Sequence, residues 1–344
     1  MNTKLWLKKL RSSEFKKAMP ILSFPSISLM NVSVNELIND SALQAQGMKM
    51  IADRVDSAAS VSMMDLSVEA ECFGSQIRFS DDEVPTVIGS IIETEEQADS
   101  LEIPAVGAGR TGKYIEAIGK ACTLITDRPV FSGVIGPFSL AGRLMDVSEI
   151  MVRCYTDPEM VHVTMRKVTR FLIEYIKAYK SVGAHGVVIA EPLTGLLSPD
   201  LAAEFSAPYV KQIVDAAQSD DFIVIYHNCG DHTIVMIDSI LSTGASAFHF
   251  GNSINMKEMI KVIPADTVVM GNIDPSSQFK NGTPESVRAE TNRVLAECGG
   301  YENFIISSGC DIPPTTPWEN IDAFFETVDE FYRSKELENR LSAS

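Results

Sequence analysis

The chain has 344 residues, 45% hydrophobic and 22% charged, an ordinary globular composition with enough apolar material for a large core. Acidic residues number 46 against 29 basic ones, a formal net charge of −17. That balance argues against a nucleic-acid footprint, which needs clustered Lys and Arg, and it favours a partner with a basic face over an anionic membrane.

The opening MNTKLWLKKLRSSEFKK is basic but lacks an apolar run of signal-peptide length. No stretch approaches the roughly 18 consecutive apolar residues of a membrane span. Six cysteines without a secretory signal imply a reducing, cytoplasmic setting, where each is a buried filler or a ligand.

In chain order, apolar β-branched runs at 19–24, 61–66, 130–135, 186–190, 222–226, 247–250, 267–270 and 304–307 read as strands. Helical patterns separate them, at 157–182, 199–217, 233–242, 284–297 and 318–333 among others. In the first of these, Asp157 caps and Pro158 opens the helix. Met160, Val161, Met165, Val168, Leu172, Ile176 and Tyr179 keep the spacing of an inward face, and Gly183 ends the run. Eight strands with intervening helices, and no GxGxxG after the first, predict a single-domain α/β (β/α)8 TIM barrel over 1–344, with an N-terminal extension. Residues 67–128 are too long for one βα connection and predict an elaborated segment near the barrel mouth. Within it GAGRTGKY (107–114) lacks the Walker spacing and reads as an ordinary loop.

Chemistry in this fold gathers where strands end. Those positions hold Asp65, Glu191, His227, Cys229, Asn272, Asp274 and Cys310. In extended YHNCG the side chains of His227 and Cys229 share a face, and Gly230 lets the chain turn away. With Cys310 from the last strand end they form a borderline-soft set suited to zinc, and Glu191 on a neighbouring strand is a replaceable fourth ligand or a base. Cys72, Cys122, Cys154 and Cys298 read as filler, and His162 and His185 as structural. His232 and His249 lie nearer the rim but have no cysteine at ligand spacing; Asp65 also suits a helix cap, and Asp274-Pro275 a turn.

HNCG, GNIDP (271–275), GTPESV (282–287) and SSGCDIPPTTPWENI (307–321), with MMDLSVEAECFGSQI and SPDLAAEFSAPYVKQI earlier, give the chain a resemblance to the uroporphyrinogen decarboxylase superfamily. Within it the chain is similar to the corrinoid-dependent methyltransferases of the methylcobamide:coenzyme M type. The resemblance implies a TIM barrel, zinc on His227, Cys229 and Cys310, and a methylated corrinoid delivered by a partner protein. Asp65 falls at the decarboxylases' catalytic aspartate, and Asn272 and Asp274 would line the pocket against corrinoid or acceptor. No Lys or Arg lies between Ala18 and Met48, so the Arg-rich clamp of the decarboxylases is absent and a polyanionic substrate finds no counter-charge there. The implied reaction moves a methyl group between a corrinoid protein and a small thiol such as coenzyme M. Demethylation of a methylated or methoxylated substrate onto the corrinoid, metal-free decarboxylation, and a non-catalytic scaffold are the alternatives.

Overall fold

Short apolar runs flanked by long amphipathic helices bury both faces of a sheet only when the strands are parallel and the helices wrap outside. A computed structural model describes residues 1–342. Among the described residues seven parallel strands stand in the order β1 (Ser60–Val61), β4 (Val130–Ile135), β5 (Gly186–Ala190), β6 (Ile223–Asn228), β7 (Ala247–Phe250), β8 (Val268–Ile273) and β9 (Phe304–Ser308). The antiparallel hairpin of β2 (Gln76–Arg78) and β3 (Thr86–Ile88) belongs to the elaborated segment.

The predicted first strand, 19–24, is an extended segment without a regular ladder. It nevertheless fills the gap between β9 and β1: Met19 N donates to Ile306 O at 3.0 Å, and Ala58 N donates to Ala18 O at 2.8 Å. The next amide facing β1 would belong to residue 20, a proline with no N–H to give. Ile21 N turns to the Ser308 hydroxyl instead of a carbonyl, at 3.1 Å. The sheet thus closes into the expected (β/α)8 form through irregular bonds.

Inside the closed sheet Met19, Ile21, Val61, Phe131, Val188, Ala190, Ile223, Ile225, Ala247, Val268, Met270 and Ile305 pack as one core, while alternate residues such as Val187, Ile189, Val224, Phe248 and Val269 join the larger core beneath the helices. The N-terminal extension is the helix Thr3–Ser12, whose Leu7 is buried against the inner core. Trp6 lies 5.6 Å from the Phe131 ring, and the helix is tied to the lower loops by Lys4 N to Asp220 O at 3.0 Å and Arg11 Nη1 to Ala265 O at 2.9 Å. It stoppers the end opposite the strand C-termini.

Several boundaries differ from the sequence reading, each for a local reason. The run 61–66 leaves the ladder after Val61, because the Met64 amide is taken by Asp311 Oδ2 at 2.7 Å. The helix expected at 199–217 breaks into Pro199–Phe205 and Ala207–Ala217, since Pro208 cannot donate to the preceding turn. The 233–242 pattern begins as a 3₁₀ turn, Thr233–Met236, before the helix Ile237–Ser242. β6 and β8 run two and three residues past their expected ends, which draws His227 and Asn272 into the ladders. The last helix continues to Ser342. No helix among the described residues is long and apolar enough to cross a membrane.

Replacing Leu7 with Ala removes a side chain packed against the inner core. The expected cost is about 2–3 kcal/mol, read as a lower urea midpoint with unchanged slope; a shift within error would mean the helix contributes no burial.

Candidate functional site

Strand parity decides what reaches the barrel mouth. On β6 the inner residues Ile223 and Ile225 are followed on the same face by His227 and then Cys229. On β7 and β9 the same parity brings His249 and Ser307 inward. His227 and His249 are ladder partners, and their Nδ1 atoms stand 2.8 Å apart. His249 Nε2 lies 2.7 Å from Ser307 Oγ, and that hydroxyl donates to Met19 O at 2.8 Å. His227 Nε2 is buried without a partner.

Cys229 and Cys310 meet beside this histidine. The Cys310 thiol donates to Cys229, which lowers the Cys229 pKa; the same contact and burial push Cys310 up to about 12, opposed by the nearby His227 ring. Gly251 leaves room for Cys229 beside it, because a Cβ there would lie 2.4 Å from Cys229 Cβ. Among the described residues no three His, Cys, Asp or Glu side chains are already drawn together as a metal-holding group; the contacts here are pairwise. The fit to zinc rests on a bare buried imidazole nitrogen next to two touching thiols, a donor set of the right softness.

Glu191 has the opposite parity, that of Val187 and Ile189, and turns toward the helix layer. Its Oε1 accepts from Phe138 N at 2.8 Å. Its Oε2 accepts from Ser139 N at 3.3 Å, Ser139 Oγ at 3.1 Å and Thr194 Oγ1 at 2.8 Å. The carboxylate thereby caps the helix Pro137–Met145, which Gly136 permits by leaving out a Cβ that would sit 2.1 Å from Glu191 Oε1. Burial still lifts its pKa to about 7 against those donors. To reach a metal it would have to give donors up.

Asp65 is buried within a charged cluster. It accepts from Ser67 Oγ at 2.6 Å, Tyr114 OH at 2.7 Å and the Arg110 guanidinium. Arg110 also donates to Glu71 at 2.5 Å and Ser67 Oγ at 2.9 Å, so each of its three nitrogens is engaged. Arg110 and Tyr114 lie in the GAGRTGKY stretch. The expectation of an ordinary loop is therefore corrected: its second half opens the helix Thr111–Leu124, and Arg110, at the end of its first half, supplies the counter-charge to Asp65. Glu69, one turn on, accepts from Ile135 N at 3.1 Å through Oε1 and leaves Oε2 buried and unpartnered. Burial raises its pKa to about 8, with Asp65 adding to the shift. Asp311, next to Cys310, is raised as well, chiefly by burial.

Asn272 and Asp274 stand apart from these clusters. The Asn272 amide donates to Gly251 O at 2.8 Å and Ile254 O at 2.6 Å, and Asp274 caps the following turn through Ser276 N at 2.8 Å and Ser277 N at 2.9 Å. Both line a polar cleft of about 450 Å³ together with Asn252, Gln278 and Arg293. Sequence reasoning missed Arg110, Tyr114, Glu69, Asp311, His249 and Ser307. Inward parity on β7 and β9 was the available signal for the last two.

The uroporphyrinogen decarboxylase (URO-D) family model matches residues 16–331, so the chain belongs to that family. Among its relatives, the methylcobamide:CoM methyltransferase MtbA of Methanosarcina mazei is 28% identical over 277 residues, covering 78% of this chain and 78% of that protein. The uroporphyrinogen decarboxylase of Alcanivorax borkumensis is 25% identical over 290 residues, covering 81% and 80%. A solved structure described as a methyltransferase from Methanosarcina mazei superposes with a TM-score of 0.84 at 23% identity, over 96% of this chain and 98% of that one. That likeness fixes the fold.

Two stability measurements follow from the Asp65 side of the mouth. Arg110→Met strands a buried carboxylate, with an expected loss of about 3–5 kcal/mol in urea unfolding at neutral pH; a loss below about 1 kcal/mol would mean Asp65 needs no counter-charge. Glu69 has its folded pKa raised above the unfolded value, so folding is penalised as pH rises from about 4.5 and the penalty is complete above about 8. Glu69→Gln, which keeps the Ile135 acceptor, should therefore leave stability unchanged near pH 4 and raise it at pH 8. Equal effects at both pH values would contradict a protonated Glu69.

Proposed function

We propose that this protein is a zinc-dependent, cytoplasmic methyltransferase that moves a methyl group between a corrinoid carried by a partner protein and a small thiol. The observation that carries the reading is the bare Nε2 of His227 beside Cys229 and Cys310, in a chain whose relative at 28% identity is a methylcobamide:CoM methyltransferase. His227, Cys229 and Cys310 would hold the metal. Bound zinc supplies Lewis acidity that strips the proton from a thiol whose ordinary pKa of about 8.5 leaves it a poor nucleophile.

This chain's own residues prepare the site around that chemistry. Cys229 and Cys310 are held in contact, so loading a dication would displace the thiol protons and leave both sulfurs anionic. Glu191 anchors the helix after β4, and acts as exchangeable ligand or base only by releasing one of its donors. Asp65, fixed by Arg110 and Tyr114, forms a rigid polar wall at the β1 end of the mouth. Asn272 and Asp274 are the proposed contacts for corrinoid or acceptor. In the transfer the thiol sulfur bonds the methyl carbon as the cobalt–carbon bond breaks, and its electron pair stays on cobalt.

A second reading runs the corrinoid step the other way, from a methylated small molecule. It draws on the methylated-thiol–coenzyme M methyltransferase of Methanosarcina mazei, 26% identical over 295 residues.

Purified protein should contain about one zinc per chain, and His227→Ala, Cys229→Ala and Cys310→Ala should each lose it while keeping the far-UV circular dichroism of the native chain. Methyl transfer from methylcobalamin to thiols should fall with the metal. Less than about a tenth of an equivalent in zinc-replete native protein would return the site to metal-free chemistry at Asp65.

A further inference from the structure

The hydrogen bond between the two rim imidazoles has a direction, and its neighbours set it. Met19 O can only accept, so Ser307 Oγ spends its single proton on that carbonyl at 2.8 Å. At 2.7 Å from the same hydroxyl, His249 Nε2 must then be the donor. His249 is 2% exposed and its two nitrogens face only the Ser307 hydroxyl and the His227 ring, with no carboxylate to pair an imidazolium, so the ring holds one proton, on Nε2, and its Nδ1 carries a lone pair. Facing that lone pair at 2.8 Å, His227 Nδ1 is the donor. Its other nitrogen is the buried atom left without a partner.

We propose that His249 is a positioning residue for the metal centre: with Ser307 and Met19 O it fixes His227 as the Nδ1–H tautomer and presents the bare Nε2 to the zinc. Both nitrogens of His249 are committed, so it acts through His227 and ligates nothing itself. The ladder pairing of His227 with His249 keeps the two rings in register, which makes the arrangement a property of the sheet. The inference rests on the zinc reading for its consequence, although the tautomer itself does not require metal.

The test uses the full chain labelled with ¹⁵N-histidine and stripped of metal, read by long-range ¹H–¹⁵N correlation with the His227 signals assigned from His227→Ala. Zinc affinity is measured in parallel by competition with a chromophoric chelator. Native protein should show the Nδ1–H pattern for His227. His249→Phe should bind zinc about 10–100-fold more weakly. His249→Asn, whose amide oxygen takes the place of Nδ1, should recover most of that loss, whereas His249→Gln, which reaches toward Ser307, should not. An Nε2–H pattern in the native protein overturns the inference whether or not zinc binds, and needs no variant to fold. Native zinc binding unchanged in His249→Phe also overturns it, and leaves the zinc reading in place. A fixed Nδ1–H tautomer in a native protein that binds no zinc overturns the zinc reading on which the consequence depends.

Discussion

A single line of hydrogen bonds runs from the seam of the barrel to its mouth. Met19 O accepts from Ser307, Ser307 accepts from His249, and His249 faces His227. Met19 lies in the segment that joins β9 to β1, so the residue that closes the sheet also anchors the candidate ligand. A typical hydrogen bond of this kind contributes only about 0.5–1.5 kcal/mol net, but a buried group stripped of its partner costs about 1–3 kcal/mol. Loss of one member would therefore be felt along the line, and closure and site geometry are expected to fail together.

Around this line the mouth holds many acidic groups and yet few free charges. Arg110 is divided between Asp65 and Glu71, Glu69 keeps its proton at neutral pH, and the Cys310 thiol is pushed up to about 12. Burial does this by penalising the ionised form of each group that lacks a cation. The surface, by contrast, carries most of the net charge of −17 in solvated side chains. A chain that is acidic on its surface and largely charge-paired at the mouth suits the proposed encounter: a basic partner is attracted to the surface, and a thiol reacts in a poorly hydrated site.

Much of this was legible in the sequence because strand parity is a property of the chain alone. The alternation of Ile223, Ile225, His227 and Cys229 already places the histidine and cysteine on one face. The same alternation, carried through Val187 and Ile189, sends Glu191 to the opposite face, where it caps a helix. His249 was set aside because it has no cysteine at ligand spacing, whereas its contact is a cross-strand one that linear spacing does not encode. Arg110 was hidden for a similar reason: its glycine-rich surroundings resemble a surface loop, and only the return of the elaborated segment over β1 brings it to Asp65. The irregular first strand follows from Pro20, whose missing donor was visible from the start.

The central claim is that His227, Cys229 and Cys310 together hold one zinc ion, and the most direct test is zinc K-edge X-ray absorption on the purified chain. The account predicts a first shell with two sulfurs at about 2.3 Å and a histidine nitrogen at about 2.0–2.1 Å, completed by one lighter ligand. A shell of oxygen and nitrogen alone, or one that keeps both sulfurs after Cys229 and Cys310 are replaced by Ser, would contradict it.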